Sequence, residues 1–155
     1  MIIQAGFDFA MLAQPYIIQC GRILPRLVII SVDSEMELDY VQVVAEDFAG
    51  SLEPFYDAVL AALDQEDTKY FAIAHSGRFS ASYHMEPLVH EARFLESKAS
   101  ERGMQLIGHI AIDESGFMSA RAFSYFDQYP TLSNLPRTML QWSHSTLSSC
   151  SPKSR

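Results

Sequence analysis

After Lys69, the run Tyr70-Phe71-Ala72-Ile73-Ala74 is unbroken in apolar character and ends in His75-Ser76-Gly77, a polar, turn-forming cluster. A run of that length offers no polar face to water, so it suits a strand covered on both sides that delivers His75 to its end. A second run, Leu27-Val28-Ile29-Ile30-Ser31-Val32, is rich in β-branched residues and makes the same demand. The core of the molecule is therefore a sheet covered by at least one helix.

The residues around the two runs supply the rest. Asp33-Ser34-Glu35 reads as a turn. Tyr40 to Ala45 then alternates, with Tyr40, Gln42 and Val44 pointing one way and Val41, Val43 and Ala45 the other, so the first run and this one form a hairpin. From Leu52 the period changes: Leu52, Phe55, Val59, Leu60 and Leu63 follow the spacing of a helix. Ser51 is placed to cap that helix, and Pro54 falls in its first turn, where the N–H it lacks would have no helical partner.

Strand, helix and strand make a crossover into Lys69 to Ala74. Ser76 to His84 reads as a loop, and Pro87 marks the first turn of a second helix with Leu88, Ala92, Leu95 and Ala99 as its buried stripe. Gly103 suits the C-terminal cap. Gln105 to Ile112 and Phe117 to Ala122 are strands joined by the turn Asp113-Glu114-Ser115-Gly116. The order β-β-α-β-α-β-β defines an α/β (α+β) domain with a single mixed sheet flanked by helices.

Two extensions frame it. Residues 1–25, with short apolar pieces around Phe7, Phe9, Met11 and Leu12 broken by Pro15, are expected to pack on the domain edge. Residues 127–155 contain Pro130 and Pro136 and end in a Ser-rich stretch expected to be mobile, with Leu132 to Trp142 able to dock as a short helix.

A chain of 155 residues with 48% hydrophobic content holds one sizeable core. Nineteen acidic against eleven basic side chains give a net charge of -8, which repels phosphate backbones, and no cluster of Lys and Arg overrides it. A protein or peptide is thus the expected partner in preference to nucleic acid, and a second copy of the chain is compatible with the sheet edges. Cys20 and Cys150 have no metal-type spacing and are too few for a disulfide framework, so a reducing cytoplasm is the simplest setting. No apolar run has the length of a membrane span, and the N-terminus lacks the basic start of a signal peptide.

The block His75 through Arg121 resembles the second half of a RadC-type JAB/MPN domain. There a strand ends in His-x-His-Pro-Ser-Gly, a loop with Ser and Asp follows, and a helix leads to a Gly-Ile/Met-x-Leu-x-Asp-His strand and a Gly-Tyr-x-Ser hairpin. The matching text is Glu101-Arg102-Gly103-Met104-Gln105-Leu106-Ile107-Gly108-His109-Ile110-Ala111-Ile112, followed by Gly116-Phe117-Met118-Ser119. Upstream, Arg26 to Asp33 resembles the family's first long strand and Glu53 to Leu63 its first domain helix, so the resemblance covers most of residues 26–126. It implies a JAB/MPN (cytidine-deaminase-like) architecture. It also implies a zinc held by two histidines and an aspartate, with a glutamate as general acid/base for the metal-bound water.

Laid on this chain without gaps, the motif puts His75 on the first histidine, Gly77 on the second and Leu88 on the aspartate. Glycine and leucine offer zinc no side-chain ligand, so the resemblance implies a degenerate site with His75 as a remnant. Replacement ligands, if a shifted loop supplies them, are His84, Glu86, His90 and Glu91. Glu46 and Glu37 stand near the second strand, where the family's glutamate belongs, and Ser76 beside His75 is a weak nucleophile candidate without a Gly-x-Ser-x-Gly elbow.

The bland readings stand beside these. His75 would donate to a backbone carbonyl, Glu86 and His90 would form a solvated pair at a helix start, Arg78 would be a surface arginine, and His109 would be structural. The leading expectation is a non-catalytic binding or assembly module that needs no cofactor. The alternatives are a zinc metallopeptidase or isopeptidase with relocated ligands, and a DNA-repair-associated factor by family label alone.

Overall fold

A computed structural model of the chain describes residues 1–4, 6–77, 86–120 and 139–141. In chain order come α1 (Gly6–Ile17), a small hairpin of β1 (Ile18–Gln19) and β2 (Arg22–Ile23), β3 (Leu27–Val32) and β4 (Leu38–Ala45). A turn of 3-10 helix (Glu53–Phe55) leads into α2 (Tyr56–Gln65), β5 (Tyr70–Ser76) and α3 (Glu86–Ser100). The last elements are β6 (Gln105–Ile112), β7 (Gly116–Ser119) and β8 (Met139–Gln141).

Six strands form one sheet in the order β4-β3-β5-β6-β7-β8. β5 and β6, joined through α3, are parallel, and every other neighbouring pair in this sheet is antiparallel. The mixed sheet expected from the two apolar runs is thus present, with both runs side by side at its centre. All six residues of β3 are buried, which fits a run with no polar face.

The pleat sorts the core into two halves. Leu27, Ile29, Phe71, Ile73 and Leu106 face α2 and α3, where they meet Leu60, Leu63, Leu88 and Leu95. Val28, Ile30, Ala72, Ala74 and Ile110 face α1 and meet Phe9, Ala13 and Ile17.

The N-terminal residues do pack on the domain, and α1 lies on the second face of the central strands. Its Phe9, Ala10, Ala13 and Ile17 have no exposed surface. Pro15 does not break the helix: it is exposed on the outer side, where a lost N–H costs least, and the helix runs on to Ile17. Close approach of α1 depends on Gly108. A Cβ there would stand 3.1 Å from the Phe9 ring and from the Ala72 Cβ.

Other expectations shift in detail. Ser51 does not cap the helix; Leu52 occupies the cap of the 3-10 turn with no side-chain bond, and α2 itself starts at Tyr56. The Ser51 hydroxyl instead donates to Glu91 on α3 at 2.7 Å. Gly103 does have the left-handed conformation a cap requires, φ 79°, and the Met104 N–H reaches back to the Ala99 carbonyl at 2.9 Å. The turn Asp113 to Gly116 forms as expected, with Asp113 Oδ1 accepting from the N–H groups of Ser115 and Gly116 and from the Ser115 hydroxyl. Met139–Gln141, expected in a helix, pairs as a strand with the otherwise open edge of β7.

Among the described residues no helix is long and apolar enough to cross a membrane. Cys20, in the left-handed region at the tip of the β1–β2 hairpin, is disulfide-bonded, a state that oxidising conditions favour. The chain's other cysteine, Cys150, lies outside the described residues.

Candidate functional site

β5 continues through Ser76, so His75 sits inside the strand and not beyond its end. It shares the α2/α3 face of the sheet with Phe71 and Ile73. The partner strand adds a second histidine to that face. Phe71 pairs with Leu106 but Ala72 pairs with Gly108, so Ile107 is an extra residue that flips the pleat of β6. Without the bulge His109 would face α1; with it, His109 lies opposite Ile73 and next to His75.

The two imidazoles meet Nε2 to Nε2 at 2.7 Å, and neither side chain has any exposed surface. His75 Nδ1 lies 3.0 Å from the Ser76 carbonyl oxygen. A carbonyl can only accept, so Nδ1 of His75 carries a hydrogen. Burial pushes the His75 ring down to about 4, with smaller opposing contributions from that carbonyl and from Glu91, and the ring is neutral at pH 7. A neutral ring has one N–H, so Nε2 of His75 is an acceptor and Nε2 of His109 donates to it. His109 is likewise held well below the usual histidine range, first by burial and then by His75.

Phe48 closes the pair from the other side. Its ring stacks on His75 with centroids 4.7 Å apart and planes 29° apart, and its N–H is held by the Pro25 carbonyl at 2.9 Å. Beyond Phe48 lies an open cavity of about 340 Å³ bounded by Ile23, Pro25, Phe48, Gly50, Ser76 and Gly77. The ring separates the cavity from the histidines.

The segment carrying Phe48 is anchored by α3. Glu91 accepts the Ser51 hydroxyl on one carboxylate oxygen and the Leu52 N–H, at 2.8 Å, on the other. The Tyr56 hydroxyl donates to the Glu91 backbone carbonyl at 2.8 Å. Burial, then the negative charges of Glu91 and Glu53, push the Tyr56 hydroxyl up to about 12, so it is a permanent donor at neutral pH.

The residues singled out from sequence do not converge. Ser76 is half-buried at the end of β5, with its backbone engaged by Arg26 and by His75. Glu46 is largely exposed, 3.6 Å from the Arg26 guanidinium. Glu37 is also exposed and holds the N-terminal amine at 2.7 Å. His90 is exposed on α3, Glu86 begins that helix, and Glu91 serves as the anchor just described. Arg78 and His84 lie outside the described residues. Gly77 and Leu88 stand where the motif would have a histidine and an aspartate; Leu88 is 2% exposed and part of the apolar core.

The described residues do not fit the zinc that the resemblance implies. A histidine ligand must offer a lone pair on a ring nitrogen, whereas His75 uses Nδ1 as a donor and receives a hydrogen at Nε2. Among the described residues no group of three or more His, Cys, Asp or Glu is placed to hold a metal ion. Nor can a fully buried imidazole exchange protons directly with a substrate. No protein-family model matches the chain, and no curated protein matches it in sequence.

Proposed function

We propose that the chain is a RadC-like JAB/MPN domain whose ancestral metal position has become a structural histidine pair, and that it acts as a non-catalytic binding or assembly module for a protein or peptide. One observation carries the reading: both ring nitrogens of His75 are committed, one to the Ser76 carbonyl and one to His109. The order of strands and helices supports the family likeness, and the mixed sheet with β5 and β6 parallel at its centre supports the same architecture. Of the replacement ligands, Glu91 is committed to Ser51 and Leu52 and His90 is exposed on α3, while His84 lies outside the described residues.

Zinc titration by calorimetry of the full chain tests this. The expected result is no stoichiometric uptake at pH 7, and no change on His75→Ala beyond lost stability. Tight one-to-one binding that His75→Ala abolishes would overturn it.

A further inference from the structure

Six large apolar side chains are exposed among the described residues, and five of them, Met1, Ile2, Phe7, Met11 and Tyr16, fall within the first sixteen residues. The sixth, Phe94, lies against Tyr56 and Lys98 on α3. The concentration has a local cause. α1 is apolar nearly all round, with Asp8 its only charge, so burying Phe9, Ala13 and Ile17 leaves a second apolar stripe outside. Along that stripe Phe7, Met11 and Pro15 are spaced four apart, one above the next, and all three are exposed.

The stripe is symmetric about Met11. Charge around it is not symmetric: Asp8, whose carboxylate also accepts the Gln4 N–H at 2.8 Å, is in the first turn, while exposed Arg22 follows the C-terminal end. A partner helix running antiparallel, with the same stripe and the same charges, would match both features. Its Phe7 would meet Pro15, Met11 would meet Met11, and each acidic end would lie against a basic one. That is the self-complementarity of a two-fold interface. A membrane surface fits poorly, because the net charge of -8 opposes anionic lipid headgroups.

We infer that a second copy of this chain packs on the outer face of α1, antiparallel and centred on Met11. A twelve-residue helix is only about 18 Å long, so Met1, Ile2 and the β1–β2 hairpin must add to the contact for it to reach the roughly 800 Å² per partner of a stable interface.

Sedimentation velocity of the full chain over about 5 to 500 µM tests the inference, a range set for affinities near the micromolar end of such interfaces. The wild type should move from monomer to dimer with concentration. Met11→Glu, an exposed position, sets two carboxylates across the two-fold and should leave a folded monomer throughout. Asp8→Lys and Arg22→Glu should each be monomeric alone, and an equimolar mixture should dimerise, because only the mixed pair restores both opposite-charge contacts. A wild type that stays monomeric, a Met11→Glu protein that dimerises like the wild type, or a mixture of the two charge variants that stays monomeric would each overturn it.

Discussion

Acid should weaken this fold well above the range in which carboxylates protonate, because its two central strands are linked by a pair of neutral histidines. In the unfolded chain a histidine titrates near 6.5, whereas burial holds His75 at about 4. The unfolded state therefore takes up a proton that the folded state refuses. The contribution to stability is fully present above pH 6.5 and is lost as the pH falls from 6.5 towards 4. For His75 alone the loss is about 1.8 kcal/mol between pH 7 and pH 5.

His109 is shifted in the same direction by burial and by His75, and adds a loss of the same sign. The pair together should therefore remove more than the roughly 1.8 kcal/mol of His75 alone over that interval, against the roughly 5 to 15 kcal/mol available to a typical domain. Urea unfolding followed by circular dichroism at pH 7, 6 and 5 measures it. The control is the double variant His75→Phe/His109→Leu, which removes both imidazoles at once and leaves no buried donor without an acceptor. That variant should lose the histidine share of the pH dependence altogether. Wild-type stability that is flat from pH 7 to 5, or a double variant that keeps the full slope, would refute the reasoning.

Further predictions concern the residues that hold this arrangement. Phe48→Ala removes the ring that separates His75 from the cavity, so the His75 pKa should rise towards 6.5 in an NMR titration, with about 3 kcal/mol or more lost to urea. Gly108→Ala should cost about 1 to 3 kcal/mol by driving a methyl group against Phe9, and Phe9→Leu in the same chain should recover part of the loss in thermal unfolding. Glu91→Ala leaves the Ser51 hydroxyl and the Leu52 N–H without their acceptor and should cost about 1 to 3 kcal/mol. Hydrogen exchange at Leu52 should quicken in that variant, while Glu91→Gln should keep most of the protection.

How much of this was legible in the sequence depended on the range of the interaction. β3 and β5 are readable because a strand buried on both faces needs an unbroken apolar run, and Leu27 to Val32 and Tyr70 to Ala74 are such runs. The turn at Asp113 to Gly116 is readable because its bonds close within three residues. The place of α1 was not. A helix apolar on both sides has no periodic contrast, and Pro15 imitates a break that tertiary packing overrides. Ser51 has the chemistry of a cap, yet its partner is Glu91, forty residues away.

The histidine pair was hidden for a related reason. Whether His109 faces His75 or α1 depends on one bulged residue, Ile107, and sequence spacing alone does not reveal a bulge. The motif alignment could say that Gly77 and Leu88 cannot hold zinc. It could not say that His75 has another imidazole as its partner.

The central claim is that His75 is locked by two hydrogen bonds and has no lone pair to offer. Long-range ¹H–¹⁵N NMR of the imidazole rings at pH 7 tests it most directly, because it reports which nitrogen of each ring carries the hydrogen. The account predicts a neutral His75 with its hydrogen on Nδ1 and a neutral His109 with its hydrogen on Nε2, both unchanged when zinc is added. A His75 hydrogen on Nε2, a charged ring, or a shift of the His75 nitrogens on adding zinc would contradict it.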